Sequence, residues 1–349
     1  MKHKFEDIII NVTQKKKPTD EDRQNYIGLE HLESGNLFVE KYGSERTPDG
    51  EKIVMKKGDV LFGKRRAYQK KVAISPCDGI FSAHGMVLRP KEDVICKEYL
   101  PFFISSDKFL DEAIRISVGG LSPTINWKDI KVLEFDLPPI DEQKRLSEKL
   151  WAAYEVKQSY LKMIAATDEM VKSQFIEMFD FHDLDLTSPS DDFDSYCKDV
   201  TSSACKIPAS DYGDTGSFPI YDQSQDVLIA GYTNLSEGLC NDIPAVLFGD
   251  HSRVLKYIDR PFFIGADGVK IIRPKRKDLY PEFLYYDLLY HSIPNTGYNR
   301  HFKYIKMLSL TKATSEEQSA FLKIAQQADK SKFEGFKSKK GSLLHRMAS

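Results

Sequence analysis

A run of basic side chains between Lys52 and Lys71 is the densest concentration of potentially functional residues in the sequence. It contains eight basic residues and one acidic residue, Asp59, with Tyr68 and Gln69 between them. Lys and Arg neutralise phosphate groups, and Arg and Gln also bind base edges in DNA grooves. This composition predicts a nucleic-acid-binding surface, with a solvated basic loop as the alternative.

Three polar segments in the second half of the chain carry cations, and the last of them also has amide and aromatic side chains. They are residues 249–253 (GDHSR), 270–277 (KIIRPKRK) and 298–304 (YNRHFKY). The first places Asp, His and Ser side by side, which is a poor geometry for a nucleophile–base–acid array, and no Gly-x-Ser-x-Gly elbow is present. We therefore interpret these segments as candidates for DNA contacts rather than as a hydrolase site.

Motifs for catalysis and cofactor binding are missing. Gly58–Lys64 resembles the phosphate-binding loop Gly-x-x-x-x-Gly-Lys, but Arg65 follows where that motif needs Ser or Thr to hold magnesium. The sequence lacks His-Glu-x-x-His, the dinucleotide turn Gly-x-Gly-x-x-Gly and the Asn/Asp-Pro-Pro-Tyr/Phe tetrapeptide of amino-methyltransferases. We expect no enzyme activity, no metal and no cofactor in this chain, and a phosphate-loop enzyme is the least favoured interpretation.

Length and composition suggest two globular domains. The chain has 349 residues, of which 41% are hydrophobic, and a formal net charge of −2, which excludes a uniformly basic coat. Five cysteines without a Cys-x-x-Cys pair argue against a disulfide framework or a zinc ribbon. We expect a cytoplasmic protein, because the sequence shows neither a signal peptide nor an apolar run long enough to span a membrane.

Short sequence matches between the two halves indicate an internal duplication. Five segments recur in the same order, with an offset that falls from 186 to 175 residues. The matched segments begin at Val60 and Val246, Arg89 and Arg273, Glu98 and Glu282, Ile130 and Ile305, and Glu142 and Glu317. Collinear matches of this kind favour two copies of one domain.

Each copy begins with a mixed globular part. Residues 71–74 and 269–272 are rich in β-branched side chains and are predicted to be strands, whereas residues 98–116 and 281–291 are predicted to be packed helices. The fold class is therefore α/β or α+β, with the strand order left open.

Each copy ends in a long helix. No Pro or Gly occurs from Ile140 to Phe181, and apolar residues repeat at steps of four and three, which predicts a coiled-coil helix of about 60 Å. Lys157 and Asp168 occupy two polar positions of that seam, and an ordinary amphipathic helix is the alternative. A second helix is predicted to begin at Thr314–Ser315, with a weaker seam that Gly335 and Gly341 interrupt. Its seam residues are Phe321, Ala325, Ala328, Phe333, Leu344 and Met347. We expect the two helices to form an antiparallel pair.

These features predict four regions. Residues 1–139 form the first globular domain, residues 140–179 the central helix, residues 180–313 a linker with the second globular domain, and residues 314–349 the C-terminal helix. The linker, residues 180–194, has six aspartates and no Lys or Arg, which is typical of a solvated connection.

Four stretches resemble the specificity subunit of type I restriction-modification systems. Residues 119–130 (GGLSPTINWKDI) are similar to the end of that family's first domain, and residues 137–143 (LPPIDEQ) are similar to the entry of its central helix. Residues 248–253 with 265–268, and residues 297–303, resemble a common form of its second domain. The second junction departs from the pattern, because Lys312–Ser315 stands where the first copy has Pro138–Ile140.

This resemblance implies a sequence-specific DNA-binding subunit without catalysis of its own. Two target-recognition domains would each bind half of a bipartite double-stranded DNA target. The conserved coiled-coil helices would separate those domains and bind two methyltransferase subunits, which would hold S-adenosylmethionine and carry out DNA methylation. Restriction-translocase subunits would join the larger complex. The alternative is a helical-rod adaptor that binds proteins rather than DNA.

The predicted DNA-binding residues fall into two groups. In the first domain they are Lys64, Arg65, Arg66, Tyr68, Gln69, Lys70, Lys71, Ser122, Thr124 and Asn126. In the second domain they are His251, Arg253, Lys270, Asn299, Arg300, His301 and Tyr304.

Overall fold

The computed structural model describes the backbone of residues 2–348 except 191, 226, 266 and 267, and the side chains of these residues up to 332. The predicted seam residues Phe333, Leu344 and Met347 therefore lie outside the described side chains. The chain divides into two compact units: the first unit comprises residues 1–158 and 341–349, and the second unit comprises residues 159–340.

The first unit contains short strands and helices that alternate along the chain. Its strands are β1 (Lys2–Lys4), β2 (Ile9–Asn11), β3 (Lys15–Lys16), β4 (Tyr26–Ile27), β5 (Lys52–Met55), β6 (Val60–Phe62), β7 (Val72–Ile74), β8 (Gly79–Phe81), β9 (Met86–Pro90) and β10 (Glu134–Asp136). Its helices are α1 (Phe5–Ile8), α2 (Leu100–Ser105), α3 (Asp107–Arg115), α4 (Trp127–Ile130) and the beginning of α5 (Ile140–Met178).

A central sheet of order β2-β9-β6-β7 lies between helices and a second sheet of order β3-β5-β8-β4. Strand β6 is buried on both faces because its side chains alternate between two cores. Phe62 packs with Phe109 and other helical residues, whereas Leu61 packs with Phe81 of the second sheet. The predicted mixed α and β class is thereby confirmed.

The second unit repeats this arrangement. Its strands are β11 (Cys197–Asp199), β12 (Lys206–Ile207), β13 (Phe218–Tyr221), β14 (Gly231–Thr233), β15 (Ala245–Gly249), β16 (Leu255–Ile258), β17 (Phe263–Gly265) and β18 (Val269–Pro274). Its helices are the end of α5, α6 (Asp192–Tyr196), α7 (Pro281–Tyr290), α8 (Phe302–Ile305) and α9 (Ser315–Ala348).

The central sheets of the two units match in strand order and in register. The second sheet has the order β11-β18-β15-β16, which corresponds to β2-β9-β6-β7. The facing pairs Ile9–Pro90 and Val60–Leu88 of the first unit recur as Cys197–Pro274 and Val246–Ile272. A shift by one residue would exchange the two faces of a strand, so an equal register supports the duplication more strongly than the short sequence matches do.

The smaller sheets differ between the units. Strand β8 pairs in parallel with β4 and antiparallel with β5, whereas β17 pairs in parallel with both of its neighbours, β12 and β13. The partners of β8 and β17 all lie in the part of each copy that precedes the first sequence match, whereas β8 and β17 themselves follow it.

A buried glutamine fixes the start of each long helix. Gln143 Oε1 accepts a hydrogen bond from the Cys96 amide at 2.9 Å, and its Nε2 donates to the carbonyls of Val94 and Pro138, both at 2.9 Å. Gln318 makes the same three bonds, at 2.8, 2.8 and 3.0 Å, to Tyr280, Asp278 and Ala313. The second junction has lost its prolines but keeps the geometry of the first.

The two long helices pair as predicted near Val171 and Phe175, whereas Leu150 and Leu161 of the same apolar repeat are exposed. In the second unit, Phe175 of α5 packs on Phe321 of α9 with ring centroids 5.0 Å apart, and Asp168 pairs with Lys332. The residue numbers run in opposite directions along the two helices, so the pair is antiparallel there. The predicted capping of α9 is also present, because Thr314 and Glu317 bond each other's amides. Helix α9 continues through Gly335 and Gly341.

Candidate DNA interface

Two segments of the first unit form one surface, here called the first loop surface (residues 63–71 and 118–125). The Arg66 amide donates to the Pro123 carbonyl at 2.7 Å, and the Ile125 amide donates to the Lys64 carbonyl at 3.0 Å. Arg66 and Lys70, at φ 55° and 49°, turn the backbone at either end of a short 3-10 turn (Ala67–Gln69). The basic run and the segment 119–130, which are far apart in sequence, are thus neighbours.

The first loop surface is electropositive. Arg65 and Arg66 are exposed, and among the described residues neither has an acidic partner. Arg66 Nε lies 3.3 Å from Ser122 Oγ, and Arg65 Nη1 lies 3.5 Å from His84 Nε2. Burial and the neighbouring charges of Arg65, Lys64 and Lys52 lower the pKa of His84. Burial and, to a smaller extent, the charge of Lys15 likewise lower the pKa of Lys64.

Lys70 and Lys71 make ion pairs or hydrogen bonds with other residues of the first unit. Lys70 Nζ lies 2.8 Å from Asp107 and 3.6 Å from Asp111, and Lys71 Nζ donates to the Leu29 carbonyl at 2.7 Å. The 3-10 turn before them carries an exposed Tyr68 and a partly exposed Gln69. Arg65 and Arg66 are therefore less engaged by contacts within the chain than Lys70 and Lys71 are.

The three polar residues predicted from the segment 119–130 shape the loop. Thr124 exchanges backbone bonds with Val118 at 2.9 and 3.1 Å, and Asn126 Nδ2 donates to Asp129 at 3.2 Å at the start of α4. Leu121, which lies between Gly120 and Thr124 in the sequence, is 97% exposed. Sequence reasoning missed Leu121, because an apolar residue in a glycine-rich segment gives no signal of its exposure.

The second unit has an equivalent second loop surface (residues 249–253 and 293–301). The His301 amide donates to the Asp250 carbonyl at 2.8 Å, which repeats the bond between Ile125 and Lys64. The buried Asp250 carboxylate also accepts from the Phe302 amide at 2.7 Å and so fixes the start of α8. Asp250 is therefore a structural residue and not a member of a catalytic array.

A stacked aromatic pair distinguishes the second loop surface. The rings of His251 and Tyr298 are 4.7 Å apart and almost parallel, at 8°, and Tyr298 is 89% exposed. Arg253, at φ 64°, donates through Nη1 to the Ile293 carbonyl at 3.0 Å. Tyr298 is not among the predicted residues, although its place beside Asn299 and Arg300 in the polar–aromatic segment could have indicated it.

The structure corrects the predicted role of His301. Its side chain is 0% exposed, and its Nδ1 lies 2.9 Å from the Asp250 carbonyl while its Nε2 faces Thr296 at 3.3 Å. A ring enclosed in this way cannot touch DNA. His301 instead connects the two segments of the second loop surface, and its amide makes the bond that the amide of the buried Ile125 makes in the first unit.

The remaining predicted residues differ in their exposure and in their contacts within the protein. Lys270 pairs with Asp199 at 3.0 Å and lies over the ring of Phe302, so its charge is partly neutralised. Asn299 donates to the Thr296 carbonyl, whereas Arg300 is exposed. Tyr304 is half-buried beneath Lys303, whose Nζ lies 4.9 Å from the ring centroid.

The geometry does not fit a phosphate-binding loop at Gly58–Lys64. Residues Val60–Phe62 are the central strand β6, and its backbone groups pair with β7 and β9. Asp59 binds Arg89 through two hydrogen bonds of 2.6 and 2.9 Å. Among the side chains that the structure describes, no cluster of His, Cys, Asp or Glu could hold a metal ion. Within the same residues, no helix has the length and apolar character needed to cross a membrane.

Residues 5–158 match the family model described as the type I restriction modification DNA specificity domain. The first unit is therefore similar to a type I DNA specificity domain. This match covers the first loop surface and confirms the resemblance found in the sequence. The chain therefore has a role in DNA-target specificity, and the protein-adaptor alternative is not favoured.

Three solved structures are similar to this chain. The S subunit of a type I restriction-modification system from M. genitalium has a TM-score of 0.49 and 14% identity, covering 100% of this chain and 94% of that one. A structure described as showing complex assembly and conformational transition of the type I R-M system has a TM-score of 0.44 and 17% identity, covering 99% and 95%. The HsdS subunit from Thermoanaerobacter tengcongensis has a TM-score of 0.37 and 18% identity, covering 99% and 96%. No curated protein matches the sequence.

Proposed function

We propose that the two units each recognise one half of a bipartite, asymmetric DNA target. The observation that carries this proposal is that the central sheet and the bond between its loop segments are repeated, whereas the loop side chains differ. The same backbone bond joins Lys64 to Ile125 and Asp250 to His301, yet the side chains on the two loop surfaces differ in charge and shape. Two copies of one frame with different side chains would read two different sequences.

The two loop surfaces would contact DNA through different kinds of side chain. Arg65 and Arg66 on the first would neutralise phosphates or bind guanine edges. On the second, Tyr298 offers one open ring face and His251 supports the other, so this pair would make apolar and stacking contacts while Arg300 adds a cation. Specificity at the first half would therefore depend more on cations, and at the second half more on shape.

We further propose that the long helices bind two methyltransferase subunits. Exposed apolar residues along α5 support this, because a partner that covers them would remove their apolar surface from water. These residues are Leu150, Leu161, Met170 and Ile176. Restriction-translocase subunits would join that complex in the cytoplasm.

The chain itself would not be catalytic. The methyl donor S-adenosylmethionine would be held by the partner methyltransferase, and the role of this chain would be to place that enzyme on its target. The purified chain should then neither methylate nor cleave DNA.

Reconstitution with the methyltransferase subunit tests the proposal. The complex should methylate sites that share two fixed half-sequences separated by bases of any identity, as revealed by sequencing methylated genomic DNA. Methylation at a single continuous sequence, or methyl transfer by the isolated chain, would refute it.

A further inference from the structure

A basic cavity of about 300 Å³ opens in the second unit, at the end of the central sheet away from the second loop surface. Strand β15 runs from Ala245 into the loop at Gly249, and β18 returns from Val269, opposite Gly249, to Pro274. The cavity lies beyond Pro274 and before Ala245, and the start of α7 closes its third side. It is therefore separate from the residues proposed to read DNA bases.

Cations dominate the lining of the basic cavity. They are Lys198, Arg273, Lys275, Arg276 and Lys277, and they outnumber the acidic lining residue Asp242. Arg273 is only 4% exposed and pairs with Asp242, and Arg276 pairs with Asp278. Lys198 and Lys277 also line the cavity, and neither has an acidic partner among the described residues.

The fold does not require these charges, as the first unit shows. Lys198 faces Arg273 across the sheet in the same register in which Ile10 faces Arg89. After the shared Arg-Pro-Lys sequence, Glu92 and Asp93 stand where the second unit has Arg276 and Lys277. At the equivalent positions, the first unit thus has the apolar residue Ile10 and the two acidic residues Glu92 and Asp93.

We propose that the basic cavity binds a phosphate group. Lys and Arg around a concave surface form charge-assisted hydrogen bonds with phosphate oxygens. The N-terminus of α7, at Pro281, adds the positive end of its dipole to the same wall. The phosphate belongs either to a free polyphosphate or to the backbone of a nucleic acid beyond the bases read by the second loop surface.

Binding of two probes by the full chain tests this site. The probes are inorganic pyrophosphate, measured by calorimetry, and a short DNA duplex without the target sequence, measured by fluorescence anisotropy. The variant combines Lys198→Ile with Lys277→Asp, which installs the residues of the first unit. Lys323→Asp, at an exposed lysine of α9, is the control for the charge change at residue 277.

We expect the double variant to bind at least one probe about tenfold more weakly than Lys323→Asp does. Loss for pyrophosphate with duplex binding unchanged identifies a free phosphate ligand, and loss for the duplex alone identifies a nucleic-acid backbone; loss for both supports the shared chemistry. Equal affinities of the double variant and the control for both probes would overturn the proposal. Lys198→Gln with Lys277→Gln repeats the test if the first variant does not fold. Base recognition by the loop surfaces is independent of this result, because target preference is scored on methylated sites.

Discussion

The two loop surfaces share a backbone and differ in chemistry. In the first unit the residues after the central strand are Lys64, Arg65 and Arg66, and in the second unit they are Asp250, His251 and Ser252. One surface presents arginines without acidic partners among the described residues, and the other presents an exposed tyrosine stacked on a histidine. The comparison teaches that the buried frame and the exposed chemistry vary independently.

Burial explains which part is retained. The central strands place side chains in two cores at once, so a change of register or size would create cavities on both faces. The loops carry no such constraint, since their side chains lie at the surface. Asp250 and His301 are exceptions, because both are buried and connect the loop segments to each other.

The largest expected effect comes from removing the feature that the two units share most closely. Gln143→Ala or Gln318→Ala leaves buried backbone groups without partners, at a cost of about 1–3 kcal/mol for each unsatisfied group. With three such groups for each glutamine, we expect the free energy of unfolding of the affected unit to fall by at least about 3 kcal/mol in either variant, measured by denaturant titration. Gln327→Ala, on the exposed face of α9, is the control and should change it little. A large loss in only one unit would show that the two glutamines are not equivalent.

A smaller effect is expected at Asp250, where the units differ. Asp250→Ala leaves the Phe302 amide without its acceptor inside the protein, which should reduce the free energy of unfolding by about 1–3 kcal/mol. Asp250→Asn keeps an acceptor oxygen and should lose less. Thermal unfolding followed by circular dichroism distinguishes them. Lys64→Ala at the equivalent position should be nearly neutral, and a comparable loss there would contradict the distinction between a structural and a surface residue.

The third effect is on the salt dependence of DNA binding. Arg65→Gln and Arg66→Gln should each reduce the slope of log affinity against log salt by about one unit for every phosphate that the arginine neutralises. Lys70→Gln should reduce it less, because Asp107 and Asp111 already neutralise that lysine. Anisotropy titrations at several salt concentrations give these slopes. A larger change for Lys70→Gln than for either arginine would show that Lys70 leaves its ion pairs to bind DNA.

Much of the frame could be predicted from the sequence. The strands near residues 72 and 269, the long helix after Pro139 and the capping of α9 all follow from local patterns of apolar, β-branched and capping residues. The smaller sheets could not be predicted, because all their strands except β8 and β17 come from the part of each copy in which no sequence match aligns the two units.

The sites were less predictable because exposure depends on tertiary contacts. His301 lies in a polar segment that looks like a binding loop, but the Asp250 carbonyl draws its ring into the interior. Tyr298, three residues earlier, is exposed for the opposite reason, since it packs on one side of its ring only. Sequence patterns found both segments but could not separate the exposed residue from the buried one that supports the loop.

The central claim is that each loop surface reads its own half of the target. It is tested most directly by mapping methylated sites for complexes that contain the wild-type chain, Tyr298→Ala or Arg65→Gln. We predict that Tyr298→Ala relaxes base preference only in one half-sequence and Arg65→Gln only in the other, and that discrimination falls by about 1–3 kcal/mol at each affected base. Relaxation of both halves by either variant, or of the same half by both, would contradict the account.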